Sequence, residues 1–124
     1  MQAVERMLRH PSYHQELREC DLRLAIIDNH IAGSAGWCQP ASNTARIRKV
    51  FVTPSHAGIG LGRLLMEVIE GEIYASGIRN VMVRATMNAV PFYERLGFHK
   101  VRLEMIISPD SVHVPMTIMD KQLV

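Results

Sequence analysis

Residues 50–66, with the sequence VFVTPSHAGIGLGRLLM, constrain the fold more than any other stretch of the chain. A β-branched and aromatic run ends at Pro54, three alternate glycines follow at Gly58, Gly60 and Gly62, and an apolar helical pattern then begins. Glycines let a ligand approach the backbone closely, and the first N–H groups of a helix are unpaired and lie at the positive end of its dipole. This order of strand, glycine turn and helix therefore predicts an anion site, with a phosphate as its natural occupant.

The bulk composition is that of one soluble domain. The 124 residues are 48% hydrophobic and 21% charged, which suits a single core, so we expect one domain over residues 1–124. The net charge of +2 is small and the 14 lysines and arginines are scattered, which argues against a nucleic-acid partner. No window resembles a signal peptide or reaches the roughly 18 to 20 apolar residues of a membrane span, so we expect a cytoplasmic protein with no membrane partner.

Cysteine and histidine spacing predicts neither a disulfide nor a metal site. Cys20 and Cys38 lack CxxC spacing, and we expect both to be buried free thiols. The six histidines include no HxxxH or HExxH pair, so no metal is expected.

The pattern before the glycine turn predicts a short helical entry followed by antiparallel strands. Apolar side chains in residues 3–9 have helical spacing, and residues 13–19 are a second candidate for a turn of helix. Residues 22–37 are typical of two strands joined by a tight turn at 28–30, and a polar loop is expected at 39–44.

The segment around the glycines predicts a parallel crossover. Within residues 45–52 the apolar phase changes after Ile47, which indicates a bulge or burial on both faces. The apolar stripe of the following helix consists of Leu61, Leu64, Leu65, Val68, Ile69 and Ile73, and Gly77 ends it. A strand over 78–85 then makes a right-handed strand, helix and strand unit, so the sheet is mixed.

The last third of the chain predicts one short helix and two more strands. Pro91 suits the first turn of the helix, Gly97 ends it, and Phe98 is expected to pack back over its last turn. Strands are expected near 99–107 and 115–121, joined by the turn SPDS.

Spacing separates the phosphate-binding schemes that place glycines before a helix. A Walker-type loop needs lysine and a hydroxyl residue after its last glycine, whereas Arg63 and Leu64 follow Gly62 here. A dinucleotide fold needs GxGxxG and an acidic residue after the next strand, but that strand ends in Arg84 and Ala85. A glycine turn that merely rounds a corner remains the alternative to a ligand site.

A second motif favours a ligand site over a glycine turn that only changes the chain direction. PSHAGIGLGRLLM, followed about 30 residues later by NAVPFYERLGF, resembles the GNAT superfamily of N-acetyltransferases over about residues 22–119. That family has an acetyl-CoA loop R/Q-x-x-G-x-G/A and a later A-x-x-F/Y-Y-x-x-x-G-F helix. The resemblance implies an α/β (α+β) fold with a central mixed, mostly antiparallel sheet, a parallel crossover and flanking helices.

The resemblance also implies a set of cofactor-binding residues for acetyl-CoA or coenzyme A. The pyrophosphate is expected on the backbone of residues 57–62, the pantetheine along the strand before Pro54, and the thioester oxygen near the amide of Val50 or Phe51. The implied residues are Val50, Phe51, Val52, Ala57, Gly58, Ile59, Gly60, Leu61, Gly62, Arg63, Asn88 and Tyr93.

Tyr93 matches the family tyrosine and is the candidate catalytic residue. A phenol with a pKa of about 10 can protonate a departing thiolate with a pKa of about 8.5, so we predict that Tyr93 is the general acid. The alternative is a packed helix aromatic with an exposed hydroxyl. Asn88 has two interpretations as well, a CoA contact or a partner for the local backbone.

Three departures from the family pattern qualify the resemblance. Ala57 stands where the pyrophosphate motif usually begins with Arg or Gln, so that contact must come from the backbone or from Arg63. Few residues precede Leu22, so the first strand and helix of the family fold are expected to be missing or reduced, and a homodimer would cover the exposed edge. Residues 45–49 hold no glutamate, so no general base is assigned; Glu104 or His113 acting through a water are the candidates.

Two classes of function follow from this sequence. The first is an N-acetyltransferase that transfers an acetyl group from acetyl-CoA to a primary amine by direct attack in a ternary complex. The second is a non-catalytic acyl-CoA-binding domain that acts as a dimer or with a partner. The acceptor, a small molecule or a peptide amine, stays open: the basic strand at 45–49 fits an acidic or uncharged acceptor, or is simply a solvated face.

Overall fold

The computed structural model describes residues 6–9 and 20–124. In this part of the chain, seven strands and two α-helices alternate with short 3-10 turns at Pro54–His56 and Met87–Ala89. The elements are β1 (Arg6–Arg9), β2 (Cys20–Ile27), β3 (His30–Ala41), β4 (Thr44–Val52), α1 (Leu61–Ala75), β5 (Asn80–Thr86), α2 (Val90–Arg95), β6 (His99–Ile107) and β7 (His113–Gln122).

The strands form one mixed sheet in the order β1-β2-β3-β4-β5-β7-β6. Among these seven described strands, β4 and β5 alone pair in parallel, and α1 connects them; every other neighbouring pair is antiparallel. The predicted mixed sheet with one parallel crossover is therefore confirmed. The crossover helix leaves the C-terminal ends of β4 and β5 at one edge, next to its own N-terminus.

The start of the chain differs from its prediction. The helix expected over residues 3–9 is wrong at Arg6–Arg9, which form β1 and pair antiparallel with β2. A single turn of helical spacing is weak evidence, because a short helix has almost no intrinsic stability and a neighbouring strand edge offers backbone hydrogen bonds. A first strand is thus present, with Arg6–Arg9 as its described part, and the helical turn predicted at 13–19 lies outside the described residues.

The hairpin between β2 and β3 confirms the predicted tight turn. Asp28 and Asn29 both have positive φ, at 51° and 61°, as the two central residues of a type I′ turn require. The polar loop expected at 39–44 is shorter than predicted, because β3 continues to Ala41 and β4 begins at Thr44. Asn43, with a φ of 59°, makes that tight connection possible.

The phase change in β4 is a β-bulge, one of the two alternatives that the sequence left open. The register of β4 against β3 shifts between the pairs Ser34↔Phe51 and Gly36↔Arg48, so Lys49 and Val50 lie opposite one residue of β3. Lys49 has a φ of 58°, and the Ser34 hydroxyl donates a hydrogen bond of 2.6 Å to its carbonyl oxygen. The bulge bends β4 immediately before the glycine turn.

Helix α1 packs its apolar stripe on one face of the sheet, and this contact makes the core. Of the predicted stripe, Leu61, Leu65, Ile69 and Ile73 are fully buried with Met66, while Leu64 and Val68 are half-buried. Glu72 joins the helix to the same face, because its carboxylate accepts a hydrogen bond from the Trp37 indole. The helix ends at Ala75, and Gly77 (φ 85°) follows its cap as predicted.

Helix α2 ends in the same type of motif. Gly97 (φ 94°) donates to the Glu94 carbonyl and Phe98 donates to the Tyr93 carbonyl, both at 3.0 Å. Phe98 is 2% exposed and packs against Tyr93, which confirms its predicted position. The last two strands are confirmed as well, although β7 begins two residues before the expected start.

Candidate functional site

Strands β4 and β5 separate part way along their length and leave an opening in the sheet. Their parallel pairing extends from Thr44↔Asn80 to Ile47↔Val83 and stops there, next to the bulge. A cavity of about 230 Å³ occupies the gap. It is lined by Ile47, Arg48, Lys49, Val50, Val83, Arg84, Ala85, Thr86, Ala89 and Tyr93.

The end of β4 forms one wall of this opening. Beyond the bulge it pairs with β3 through Ser34↔Phe51 and Gly33↔Val52, and no described strand pairs with its other edge. The Val50 and Val52 side chains are half-buried against the core, whereas the Phe51 side chain is 54% exposed. A free strand edge of this kind can hydrogen-bond an extended ligand as a further strand would.

The glycine turn continues from β4 into α1. Gly58 and Gly60 have φ values of 79° and 84°, a region that other residues rarely adopt, and Gly60 is the N-cap of α1. The first helical hydrogen bond runs from Leu64 to the Gly60 carbonyl, so the N–H groups at the start of the helix have no helical acceptor. These N–H groups are the donors that the predicted anion cradle requires.

The Ala57 amide does not belong to this cradle. Its N–H donates to the Pro54 carbonyl at 3.3 Å and closes the 3-10 turn. The set of backbone donors predicted over residues 57–62 therefore begins at Gly58. The short exposed side chain of Ala57 still borders the cavity beside the turn.

Basic side chains lie beside the glycine turn. A second cavity, of about 400 Å³, lies beside the glycine turn and brings His56, Arg63 and Arg95 together. Arg63 is largely exposed and its guanidinium lies 3.5 Å from the Glu67 carboxylate, one helical turn away. Sequence reasoning named Arg63 but missed Arg95, because only the packing of α2 beside the start of α1 brings Arg95 to this cavity.

Three of the predicted loop residues have packing roles that explain their identity. Leu61 is 2% exposed in the core, and Ile59 packs against it, so these side chains anchor the turn. A Cβ on Gly62 would lie 3.3 Å from the Phe92 ring, so a glycine there lets α2 approach α1 closely. Leu61 and Gly62 border the cavity, and Leu61 offers a ligand its backbone only.

Tyr93 lies at the junction of the opening and the core. It is 6% exposed, its ring packs edge-on against Phe92 and Phe98, and it lines the cavity between β4 and β5. Burial raises the pKa of Tyr93 to about 12, so the phenol stays protonated at neutral pH. Its hydroxyl has no hydrogen-bond partner among residues 22–124.

Asn88 has a local partner. It is exposed on the 3-10 turn before α2, and its side-chain oxygen accepts a hydrogen bond of 2.8 Å from the Thr86 hydroxyl. It lines neither of the two cavities. The local interpretation therefore has direct support in the structure, and a CoA contact through its amide nitrogen stays a prediction.

The two candidate bases lie outside the opening. Glu104 on β6 is engaged by Arg102 at 3.0 Å and by Arg84 at 3.7 Å. His113 is exposed at the start of β7, opposite Ile107. The residues that line the opening include no carboxylate and no histidine.

This fold and site define a class of protein: a mixed sheet split between two parallel strands, with a glycine turn at a helix N-terminus beside the split. A family model described as an acetyltransferase (GNAT) domain matches residues 2–119. The chain therefore belongs to the GNAT acetyltransferase family. The fold class and family inferred from the sequence are confirmed.

Individual relatives are similar over parts of their length. The chain is 27% identical over 82 residues to the ribosomal protein bS18-alanine N-acetyltransferase of Haemophilus influenzae, covering 64% of this chain and 56% of that protein. It is 41% identical over 49 residues to the chloroplastic serotonin N-acetyltransferase 2 of Oryza sativa subsp. japonica, covering 40% of this chain and 24% of that protein. The chain thus spans about a quarter to about half the length of these two relatives.

Solved structures share the fold. A GNAT family acetyltransferase from Elizabethkingia anophelis with acetyl-CoA bound superposes with a TM-score of 0.79 at 15% identity, over 95% of this chain and 97% of that one.

Among the described residues, no helix is both long enough and apolar enough to cross a membrane.

Proposed function

We propose that this chain is an acetyl-CoA-dependent N-acetyltransferase that acts on a primary amine by direct attack within a ternary complex. The observation that carries the proposal is the separation of β4 from β5 after Ile47↔Val83, directly beside the glycine cradle. The separation leaves a free strand edge and a gap through the sheet, where a thioester and an amine can meet from opposite sides. Acetyl-CoA supplies the activated acyl group.

The residues present fit coenzyme A. The N–H groups from Gly58 to Arg63 would hold its pyrophosphate, because they lack acceptors in the helix and lie at its positive end. Arg63 and Arg95 would add charge-assisted contacts to the phosphates and compensate for Ala57. The edge of β4 at Val50, Phe51 and Val52 would hold the pantetheine.

The chemistry needs a donor at the thioester oxygen and a proton for the leaving thiolate. A backbone N–H at the bulge, near Val50 or Phe51, would polarise the thioester carbonyl, and one such donor is worth roughly 100- to 1,000-fold in rate. Tyr93 would donate its phenolic proton toward the sulfur, because its protonated hydroxyl lines the same cavity. No residue is assigned as the base; water would carry the proton of the amine out of the opening.

The competing function is a non-catalytic acyl-CoA-binding domain, and the absence of any carboxylate or histidine from the lining of the opening favours it. Two measurements separate the two functions. Calorimetric titration with CoA tests the cradle, and release of free thiol from acetyl-CoA over an amine library tests catalysis. Binding with no thiol release from any amine supports the binding domain, and no binding of CoA at millimolar concentration refutes both.

A homodimer remains a proposal, and its predicted location changes. The edge that was expected to be bare is occupied by β1, whereas β6 forms the other edge with Val101, Leu103, Met105 and Ile107 between 48% and 67% exposed. Antiparallel pairing of β6 with a second copy about Leu103 would place Arg102 opposite the partner copy's Glu104, a favourable charge pair. Sedimentation of Leu103→Lys against the parent chain tests this, and a parent monomer at micromolar concentration refutes it.

A single domain over residues 1–124 and a cytoplasmic location are kept as proposals that rest on composition alone. The proposed acceptor is a small-molecule amine or a peptide amine.

A further inference from the structure

The bulge in β4 places an uncommon backbone conformation at the wall of the opening. Lys49 has a φ of 58°, in the left-handed region, although it is not a glycine. Such a conformation is unfavourable for a residue with a Cβ and persists where neighbouring contacts hold it. Lys49 and Val50 both line the cavity of about 230 Å³ between β4 and β5. The contact that holds the bulge therefore affects the shape of the site.

The hydroxyl of Ser34 on β3 makes such a contact. It donates a hydrogen bond of 2.6 Å to the Lys49 carbonyl oxygen. Ser34 is half-buried and pairs with Phe51, directly beyond the bulge. Strand β3 borders one edge of β4, and the opening lies at the other edge, toward β5. The hydrogen bond thus holds the Lys49 carbonyl toward β3 and away from the opening.

The direction of this carbonyl fixes the direction of the next amide. The Lys49 carbonyl and the Val50 N–H belong to one trans peptide group, which is planar, so the two point in opposite directions. Because the carbonyl points toward β3, the Val50 N–H points toward the opening. Rotation of this peptide group would turn the N–H away, so Ser34 controls the direction of an amide that its hydroxyl does not bind.

The backbone beyond the bulge leads to the same assignment independently. The Thr53 N–H donates to the Ala32 carbonyl of β3 at 2.8 Å, and N–H groups two residues apart in a strand point to the same edge. The Phe51 N–H therefore also points toward β3, and a Cβ on Gly33 would lie 2.7 Å from the Phe51 carbonyl oxygen. Val50, one residue away, points its N–H to the opposite edge. Of the two candidate donors for the thioester oxygen, Val50 is thus the one directed into the opening.

We propose that Ser34 is a positioning residue: its hydrogen bond to the Lys49 carbonyl aims the Val50 N–H at the place where the thioester oxygen of acetyl-CoA would lie. The inference rests on the proposed acetyltransferase function and names a residue outside its loop and helix motifs. The Val50 N–H would stabilise the negative charge that develops on this oxygen while the amine adds to the carbonyl carbon. A donor whose direction is fixed beforehand needs no reorganisation during the reaction.

Substitution of Ser34 tests the role of its hydroxyl. In Ser34→Ala we expect kcat for free-thiol release to fall about 10-fold, because the amide is misdirected rather than removed; loss of the donor itself would cost roughly 100- to 1,000-fold. CoA affinity, measured by calorimetry, should change less than twofold, because the glycine turn is unaltered. Ser34→Thr keeps a hydroxyl at the same position and should restore kcat to within twofold of the parent.

Infrared difference spectroscopy detects the amide without turnover. The probe is acetyl-CoA with an isotope label at its acetyl carbonyl, bound to each variant in the absence of an amine. A hydrogen bond to the oxygen weakens the carbonyl bond, so the carbonyl stretch should lie at lower frequency in the parent and in Ser34→Thr than in Ser34→Ala. A residue that only stabilises the fold would not produce this difference.

Ser76→Ala is the matched control. The Ser76 hydroxyl also donates to a backbone carbonyl, that of Glu72 at 3.0 Å, but at the end of α1, and Ser76 lines neither cavity. We expect its kcat, CoA affinity and carbonyl stretch to equal those of the parent. Circular dichroism checks that each variant is folded. If Ser34→Ala does not fold, Ser34→Cys replaces it, and its weaker donor should give an intermediate kcat and stretch.

The outcomes separate this inference from the proposed function. In an active parent, the inference requires both effects, so a change in kcat alone, in the stretch alone, or in neither overturns it and leaves the acetyltransferase intact. An equal loss in Ser34→Thr and Ser34→Ala also overturns it, because the hydroxyl is then not responsible. If the parent releases no thiol with any amine and Ser34→Ala still shifts the stretch, Ser34 positions the amide and catalysis is refuted. Failure of the parent to bind CoA refutes the proposed function on which the inference rests.

Discussion

Replacement of Tyr93 by phenylalanine tests the proposed general acid with little change to the core. The substitution removes one hydroxyl and keeps the ring, whose edge-on contacts with Phe92 and Phe98 have centroid distances of 5.1 and 5.6 Å. The hydroxyl has no hydrogen-bond partner among residues 22–124, so the change leaves no described donor or acceptor without a partner. A loss of activity can therefore be assigned to chemistry rather than to folding.

The expected magnitude follows from the acidity of the phenol. General acid catalysis contributes roughly 100- to 10,000-fold, and more when the acid has a pKa close to the working pH. Burial raises the pKa of Tyr93 to about 12, above that of a thiol at about 8.5, so full transfer of the proton to the sulfur is unfavourable. We therefore expect kcat to fall by about 100-fold, at the lower end of the range for general acid catalysis. This loss corresponds to about 2.7 kcal/mol of transition-state stabilisation.

The assay is free-thiol release with an accepted amine, with CoA affinity measured in parallel. Tyr74→Phe is the control, because Tyr74 is 45% exposed on α1 and lines neither cavity. We expect Tyr93→Phe to lower kcat with unchanged CoA affinity, and Tyr74→Phe to leave both unchanged. If kcat of Tyr93→Phe stays within twofold of the parent, Tyr93 is a packing residue and the thiolate leaves without its help.

The same pKa predicts how the parent chain responds to alkaline pH. The phenol of Tyr93 titrates near pH 12 in the folded state and near pH 10 when unfolded, so the folded state holds its proton at higher pH. The stabilisation this gives is complete below pH 10 and is lost between pH 10 and 12, by up to about 2.7 kcal/mol. Urea unfolding of the parent and Tyr93→Phe at pH 8 and 10.5 should show a smaller alkaline loss for the variant, and equal losses would contradict the raised pKa.

Three further predictions concern the cradle and the strand contact behind it. Ala57→Arg restores the usual first residue of the loop motif, and calorimetry should show CoA bound about 5- to 10-fold more tightly; no change would mean that existing cations already fill that contact. Arg95→Gln should weaken CoA about 10-fold and reduce the salt dependence of binding, and an unchanged affinity would place Arg95 outside the phosphate site. Gly33→Ala would put a Cβ 2.7 Å from the Phe51 carbonyl oxygen and should lower the free energy of unfolding in urea by about 1 to 3 kcal/mol. Gly71→Ala is its control, because Gly71 has open space around it in α1, and it should raise the free energy of unfolding by about 0.5 to 1 kcal/mol. Equal effects of the two substitutions would contradict the close contact at Gly33.

The features that the sequence predicted correctly are those specified by a few adjacent residues. A two-residue turn needs positive φ at both positions, and Asp28 and Asn29 tolerate it. Gly97 ends α2 for the same local reason. The irregularity in β4 was visible because its side-chain alternation of period two changes phase after Ile47, although the sequence left a bulge and burial on both faces as alternatives.

The features that were missed depend on contacts between distant segments. Strand β1 exists because β2 offers it a backbone edge, and no local pattern in four residues reports that edge. Arg95 reaches the cavity beside the glycine turn because Gly62 lets Phe92 pack on the first turn of α1. The burial of Tyr93, and with it the raised pKa, also depends on how α2 packs, so its protonation could not be read from its motif.

The proposed binding sites of the two substrates are built differently, which explains why acetyl-CoA was easier to infer from the sequence than the acceptor. The proposed cofactor end of the site depends on close backbone packing: a Cβ on Gly33 would lie 2.7 Å from the Phe51 carbonyl oxygen and 3.0 Å from the Leu65 side chain, so β3 has no room for a side chain where it meets β4 and α1. Such contacts demand glycine, and glycines at fixed spacing are visible in a sequence. The proposed acceptor end is lined by side chains such as Arg48 and Arg84, and a strand accepts many residue types at such positions. Its specificity must therefore be measured with an amine library.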